Sequence, residues 1–357
     1  MPLQPDELKR YSRQILLPEF GIVGQERLKE ARILIVGAGG LGSPAALYLA
    51  AMGVGTIGII DDDTVAVSNL HRQILYRESD VGQSKAKLAK RRLSEINPNS
   101  TIIAFEKRLT PENALEILSG YDLVLDGTDN FSTRYLVNDA CLVLVIPLIS
   151  ASILKFEGQL TVLCADNGPC YRCLFPEPPN PADAPSCAEA GVMGVLAGVM
   201  GTMMAMEAIK IIAGIGEPLT GRLLLYDALS ASVRTFHVNR DPTCPVCSIP
   251  TAERRFFDSY EFDVCNENPG EITWEAFAKH PMPLIDVREE WEFASLPSAG
   301  KLVPLGSLLD RIEELPKEEF AIVCASGIRS LKAIISLREH GIKAKSIRGG
   351  MSLYNNR

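Results

Sequence analysis

The chain has 357 residues, with 36 Lys and Arg against 44 Asp and Glu, for a formal net charge of −8. That balance, without a basic block or an aromatic-basic stripe, speaks against nucleic acid as the main partner, and the length predicts two domains. Nine cysteines behind an N-terminal stretch, Met1 to Glu7, without targeting character point to a reducing, cytoplasmic setting where thiols bind metal or react.

In chain order, Arg10-Tyr11-Ser12-Arg13-Gln14 comes first; a guanidinium there can reach a phosphate, in its own or a partner subunit. Ala31 to Val36 is a continuous apolar run, as expected for a parallel strand covered on both faces. Gly37-Ala38-Gly39-Gly40-Leu41-Gly42 follows, then a predicted helix from Ser43 to Met52. Glycines at that spacing let a phosphate approach backbone amides at a helix N-terminus. A second strand, Gly55 to Ile60, ends at Asp61, the usual place for a carboxylate that accepts from ribose hydroxyls. This much would serve an NAD-dependent dehydrogenase equally well, and no Gly-x-x-x-x-Gly-Lys-Ser/Thr loop is present.

The next residues separate the two readings. Ser68-Asn69-Leu70-His71-Arg72-Gln73 and Lys85 follow the acidic turn, and Asp129, Asn130 and Arg134 follow the strand Tyr121 to Leu125. Cations, an amide and a carboxylate suit a triphosphate with Mg²⁺ better than a hydride acceptor. The repeated strand, turn and helix predict a doubly wound sheet. Alternating segments near Gly158–Cys164, Arg222–Asp227 and Ser232–Val238 predict antiparallel additions to it.

Cys170-Tyr171-Arg172-Cys173 and Cys244-Pro245-Val246-Cys247 offer four thiolates, a set suited to one structural, tetrahedral Zn²⁺. Between them, Ala190 to Met206 carries no charge, but Glu207 and Lys210 end it short of a typical membrane span. Its glycines, Gly191, Gly194, Gly198 and Gly201, allow close backbone approach, so a buried helix is expected, with a subunit interface as one use for it. Cys187 stands in a stretch of small and polar residues that favours exposure.

Residues 248–267 lack sustained periodicity and read as a linker. A second, smaller α/β unit follows over 268–357, with strands at Leu284–Asp286 and Ala321–Val323 and a helix from Ser330 to His340. Cys324-Ala325-Ser326-Gly327-Ile328-Arg329-Ser330 joins strand to helix, so successive backbone amides face the Cys324 sulfur and stabilise it as an anion or persulfide.

Over residues 1–247 the Arg13, glycine-turn, Ser68–Gln73, Lys85, Asp129-Asn130 and paired-cysteine motifs resemble the MoeB–ThiF–HesA adenylyltransferases, bacterial relatives of ubiquitin-activating enzymes. Residues 268–357 resemble a rhodanese domain, and the fusion is similar to the MoeZ-type sulfurtransferases. The resemblance implies a Rossmann-like doubly wound mixed sheet and ATP–Mg²⁺-dependent adenylylation of the Gly-Gly C-terminus of a ubiquitin-like sulfur carrier. It also implies a homodimer in which Arg13 reaches the neighbouring site. By position, Gly40 approaches the nucleotide, Asp61 holds the ribose, and Asn69, Arg72 and Lys85 hold the phosphates within the Ser68, Asn69, Leu70, His71, Arg72 loop. Asp129 ligates Mg²⁺, and Asn130 completes its loop. Cys324 carries the sulfur, delivered by a cysteine desulfurase or by thiosulfate, and Cys187 forms an acyl bond or resolves a disulfide. Ala325 departs from the family, many of whose members carry a basic residue there. The resemblance leaves the pathway open among molybdopterin, thiamine, tRNA thiolation, and cysteine or siderophore synthesis. An NAD oxidoreductase and a non-catalytic scaffold for carrier proteins are the competing readings.

Overall fold

The computed structural model describes residues 2–178, 191–257, 260 and 270–354. It divides after residue 262 into two compact units.

The first unit is built on eight strands: β1 (Arg32–Val36), β2 (Thr56–Ile60), β3 (Thr101–Phe105), β4 (Leu123–Asp126), β5 (Leu148–Leu154), β6 (Glu157–Leu163), β7 (Arg222–Asp227) and β8 (Ser232–His237). They lie in the order β3-β2-β1-β4-β5-β6-β7-β8. The first five strands are mutually parallel and β6 to β8 add on antiparallel, as the alternating segments predict. Ile33, Leu34, Ile35 and Val36 are all buried, since helices cover both faces of the parallel part. Val36 pairs with Ile60 on one side and Asp126 on the other, so the carboxyl ends of β1, β2 and β4 are level. The strand order reverses between β1 and β4, and there a doubly wound sheet opens a crevice for ligands.

The uncharged segment forms a helix, Gly194–Ala213, which packs against the Gly42–Ala51 helix and β5. It is long and apolar enough to cross a membrane, yet Leu196, Ala197, Met200, Met204 and Ala208 are buried in the core. A Cβ at Gly201 would stand 2.4 Å from the Leu41 carbonyl oxygen, so glycine is what lets the two helices meet.

The segment expected to be a linker is in part fixed to this unit. Arg254 donates from Nη1 to the Leu142 carbonyl (2.7 Å) and from Nε to the Ile249 carbonyl (3.1 Å), and Tyr260 is buried. Apart from a single 3-10 turn at Thr251–Glu253, the described residues of this stretch are held by individual side chains, which leaves no repeating face for a sequence period to mark.

The second unit has five parallel strands, β9 (Glu271–Ile272), β10 (Leu284–Asp286), β11 (Lys301–Leu302), β12 (Phe320–Val323) and β13 (Ala344–Ile347), in the order β11-β10-β12-β13-β9. Phe320, Ile322, Ile285 and Val287 pack on Ala333, Ile334 and Leu337 of the Ile328–Glu339 helix to form its core.

Candidate active site

A cavity of about 320 Å³ opens at the carboxyl ends of β1, β2 and β4. It is lined by Gly37, Gly39 and Gly40 of the glycine turn, by Asp61, Asp62 and Asp63, by Arg72, Gln73 and Lys85, and by Asp129, Asn130 and Arg134. The turn is tight: Gly37 has φ +88°, and a Cβ on Gly42 would lie 1.9 Å from the Gly37 carbonyl oxygen. At Gly40 a Cβ would sit 3.4 Å from Arg72 Cγ, so the missing side chain keeps the cavity floor open.

Asp61 ties two turns together. Its Oδ2 accepts from the Ala38 amide (2.8 Å) and its Oδ1 from the Asp63 amide (2.9 Å). Burial pushes the Asp61 carboxyl above its ordinary value, against the opposing pull of Lys85 and these two amides. Lys85 begins the Lys85–Ile96 helix, and its ammonium lies 2.8 Å from Asp63 Oδ2. Arg72 is braced from behind: its Nη1 donates to the Ser68 carbonyl (2.9 Å) and lies 3.0 Å from His71 Nε2. Asn69 holds the loop through its carbonyl, which accepts from the Arg72 and Gln73 amides at 3.1 and 2.9 Å.

The cavity therefore gathers Gly40, Asp61, Arg72, Lys85, Asp129 and Asn130 from the residues singled out in the sequence. Ser68, Asn69, Leu70 and His71 are not part of its lining; they form and extend the short helix that carries Arg72 and Gln73. Asn130 caps the Phe131–Leu144 helix, its Oδ1 accepting from the Thr133 amide at 2.8 Å. Asp129 is exposed beside it. Arg13 is exposed on the Ser12–Ile15 helix, outside the lining of this cavity.

Two lining cations were not singled out in the sequence, and Gln73, quoted there within its motif, was given no role of its own. Lys107 and Arg108 follow β3 and add two cations to the rim; the signal was a Lys-Arg pair one residue, Glu106, past the apolar run Thr101–Phe105. Gln73 is 4% exposed, and its Oε1 has no partner among the described residues. A buried acceptor in that state costs about 1–3 kcal/mol unless a donor reaches it, so the cavity is shaped for a ligand that carries hydroxyl or N–H groups.

The four paired cysteines converge. Cys170 Sγ lies 3.8 Å from Cys173 Sγ and 3.6 Å from Cys244 Sγ, and Cys173 Sγ lies 3.4 Å from Cys247 Sγ. All four sulfurs are within 4.8 Å of one another. Tetrahedral Zn²⁺ with Zn–S bonds of about 2.3 Å separates its sulfurs by about 3.8 Å, so the spacing fits the ion. The Asp241 amide points at Cys173 Sγ (3.4 Å), as an outer-shell donor would.

In the second unit Cys324 follows β12, and its sulfur is fully buried. The Gly327 amide donates to Sγ at 3.1 Å and the Ser330 amide at 3.4 Å, while the Ser330 hydroxyl lies 3.6 Å away. Gly327 adopts φ +98°, which turns its amide toward the sulfur. The Gly349-Gly350 turn closes over the loop: the Met351 amide donates to the Cys324 carbonyl (2.8 Å), and a Cβ on Gly350 would lie 2.2 Å from that oxygen. Arg329 is drawn aside, paired through Nη1 and Nη2 with Glu292 at 2.6 Å each. Cys187 lies outside the described residues.

Residues 11–246 match the ThiF family, and residues 271–357 match the rhodanese-like domain. The chain is 55% identical over 262 residues to the sulfur carrier protein adenylyltransferase of Thermus thermophilus, across 72% of this chain and 97% of that one. It is 43% identical over 366 residues to the protein named probable adenylyltransferase/sulfurtransferase MoeZ of Mycobacterium tuberculosis (98% and 93% covered). It is 42% identical to adenylyltransferase and sulfurtransferase MOCS3-1 of Zea mays (99% and 82% covered). Among solved structures it is similar to Escherichia coli MccB crystallised with ATP, with a TM-score of 0.61 and 25% identity over 67% of this chain and 73% of MccB.

Proposed function

Since the chain belongs to the ThiF family and carries a rhodanese-like domain, we propose that it activates the terminal carboxylate of a ubiquitin-like sulfur carrier with ATP and replaces the adenylate with sulfur from Cys324. The chain is an adenylyltransferase and a sulfurtransferase. The observation that carries the first activity is the single cavity that brings the glycine turn, Asp61, Arg72, Lys85 and Asp129 together.

The chemistry follows from charge and leaving groups. A carboxylate expels oxide poorly, whereas an acyl-adenylate expels AMP well. The carrier's carboxylate oxygen attacks the α-phosphorus, and the bond to pyrophosphate breaks. Negative charge then grows on the phosphate oxygens, and Lys85, Arg72 and Arg134, which line the cavity, are the cations that meet it; removing one such donor costs about 3–4 kcal/mol of barrier. Asp61 and the Gln73 carbonyl accept from ribose hydroxyls. Asp129 is the carboxylate that holds Mg²⁺, which when bound neutralises phosphate charge. Arg13, exposed on its own protomer, serves the neighbouring cavity of a homodimer.

In the second half-reaction the terminal sulfur of a Cys324 persulfide attacks the acyl carbon and AMP leaves. The product is an acyl disulfide. A second thiol, for which Cys187 is the candidate, attacks the Cys324 sulfur, forming a disulfide with it and releasing the carrier thiocarboxylate; external thiol then reduces the enzyme disulfide. The amides of Gly327 and Ser330 hold the anionic sulfur in the resting state. Because that sulfur is buried, a donor (a cysteine desulfurase persulfide or thiosulfate) reaches it after the Ala325–Gly327 loop parts. The Cys170, Cys173, Cys244 and Cys247 thiolates hold one Zn²⁺, which ties the two Cys-x-x-Cys segments together. We place the reaction in the cytoplasm, where such thiols stay reduced; the described cysteines form no disulfide among themselves.

The test is carrier-dependent ATP–pyrophosphate exchange with purified protein and Gly-Gly-terminated ubiquitin-fold proteins. Exchange with at least one carrier is expected; none with any carrier would discard the reading in favour of a binding scaffold.

A further inference from the structure

Three arginines stand around the Cys324 loop, and each is paired with a carboxylate of the same unit. Arg288 follows β10 at the level where Cys324 follows β12, and its Nη2 lies 2.7 Å from Asp286 Oδ2 with both side chains buried. Arg348 precedes the Gly349-Gly350 turn, its Nε 3.6 Å from Glu271 Oε2. Arg329, inside the loop motif, gives Nη1 and Nη2 to the two oxygens of Glu292 at 2.6 Å each. Its Nε is buried and so offers nothing to an anion arriving from solvent. Glu292 is fixed in turn: it lies in the Glu290–Ser295 helix, and its Oε2 also accepts from the Glu289 amide at 3.0 Å.

Arg329 is near enough to Cys324 for charge on the sulfur to act on it. The guanidinium is held above its ordinary value first by the hydrogen bonds to Glu292, against burial, and then by the charges of Glu292, Cys324 and Glu289. Bidentate pairing with a carboxylate spends this cation. The residue after Cys324 is Ala325, so no side chain there restores the charge. The groups that face the sulfur are neutral: the Gly327 and Ser330 amides and the Ser330 hydroxyl.

Two classes of sulfur donor make different demands on such a loop. With thiosulfate, the Cys324 thiolate attacks the outer sulfur, the S–S bond breaks, and sulfite leaves with the electron pair. A dianion must then approach a thiolate where no arginine is unpaired to receive it. With a thiol-borne persulfide, the same thiolate attacks the terminal sulfur and the donor thiolate leaves with the pair. The persulfide enters protonated and its proton stays on the new Cys324 persulfide, so a single negative charge is present throughout.

We propose that Glu292 is a specificity-determining residue: by occupying Arg329 it sets Cys324 to draw sulfur from thiol-borne persulfides in preference to thiosulfate. This rests on Cys324 as the residue that carries the sulfur, and it narrows the donor class named above. Thiosulfate still loads Cys324, at higher concentration. Releasing Arg329 supplies a charged hydrogen-bond donor to the dianion, worth about tenfold at the low end of the range for such bonds.

The experiment measures the second-order rate of persulfide formation on Cys324 in the full chain, by alkylation and mass spectrometry, with thiosulfate or the persulfide of 2-mercaptoethanol as donor. Glu292→Gln keeps an acceptor for the Glu289 amide. It should raise the thiosulfate rate about tenfold and leave the persulfide rate within twofold. Ala325→Arg, which adds a cation with the Glu292 pair intact, should also raise the thiosulfate rate selectively. In the native chain added salt should speed thiosulfate loading by screening the carboxylates, and that dependence should flatten in Glu292→Gln. A thiosulfate rate unchanged in either variant, or one that rises equally with the persulfide donor, would overturn the proposal. So would a native thiosulfate rate that falls with salt, a measurement that needs no variant to fold. No persulfide on Cys324 from either donor would instead overturn the reading on which the proposal rests.

Discussion

Lys85 and Asp63 form an ion pair across 2.8 Å with unequal surroundings: the lysine side chain is 5% exposed and the aspartate 71%. A buried ammonium whose partner faces water keeps its charge directed at the cavity that both residues line. The Asp63 contact is solvent-screened and weak, so an arriving phosphate can displace it. Lys85→Met removes the charge while keeping the apolar stem. Pyrophosphate exchange should fall by about 10²–10³-fold, the usual loss for one pre-organised donor, with thiosulfate-to-cyanide transfer unchanged. Exchange that survives within tenfold would show that Lys85 does not face the phosphates.

The two units make opposite predictions for two other substitutions. Cys324→Ala removes the only sulfur held by the Gly327 and Ser330 amides, so thiosulfate-to-cyanide transfer should vanish while pyrophosphate exchange persists. Asp129→Ala should do the reverse, lowering exchange at least 10²-fold without touching persulfide formation. Persistent cyanide transfer in Cys324→Ala would assign the sulfur to another thiol, with Cys187 the first to examine.

What could be read from the sequence was whatever is local. The glycine turn, Asp61 and Lys85 each sit within a few residues of a strand end, and β1, β2 and β4 are apolar runs whose carboxyl ends the topology brings level. β3 and β5 were not singled out: Thr101–Phe105 is a short run with an exposed first residue, and β5 contains Ser150 and Ser152. Their absence from the reading concealed Lys107 and Arg108, which enter the cavity only because β3 pairs with β2. The buried Asp139 carboxylate, which accepts from Arg172 and Tyr260, joins positions up to 121 residues apart and leaves no periodic trace. Gln73 stood in a motif, but its unsatisfied carbonyl is a property of packing.

Zinc is expected at one ion per chain. The four sulfurs join two Cys-x-x-Cys segments 74 residues apart in sequence, so the ion cross-links a long loop in the first unit. Structural zinc contributes on the order of 10 kcal/mol in small sites, and in a unit of this size that corresponds to roughly 20 °C or more in midpoint. Elemental analysis should give one zinc per chain, and removal by a strong chelator or Cys244→Ser should lower the midpoint of the first unit by that order. A metal-free protein with unchanged midpoint and exchange activity would reject the structural role.

Acid should loosen the second unit through Glu292. The hydrogen bonds from Arg329 hold the Glu292 carboxyl below its ordinary value of 4.5, against a smaller opposing effect of burial. A carboxylate lowered in the folded state contributes stability above its unfolded value and loses that contribution as pH falls through the folded one. The pair therefore stabilises fully from just above 4.5 upward and fades below it. The chain's two tryptophans, Trp274 and Trp291, both lie in the second unit, so urea unfolding followed by their fluorescence reports that unit. Glu292→Gln removes one charge of the pair and leaves Arg329 without its carboxylate; at pH 7 it should cost about 1.5–3 kcal/mol, the range for hydrogen bonds to charged groups. The difference between native and variant should shrink as pH drops below 4.5, because protonation of Glu292 makes the native chain resemble the variant. A difference that stays constant down to pH 3 would mean that the glutamine acts through packing and that the ion pair is not what holds Arg329 away from Cys324.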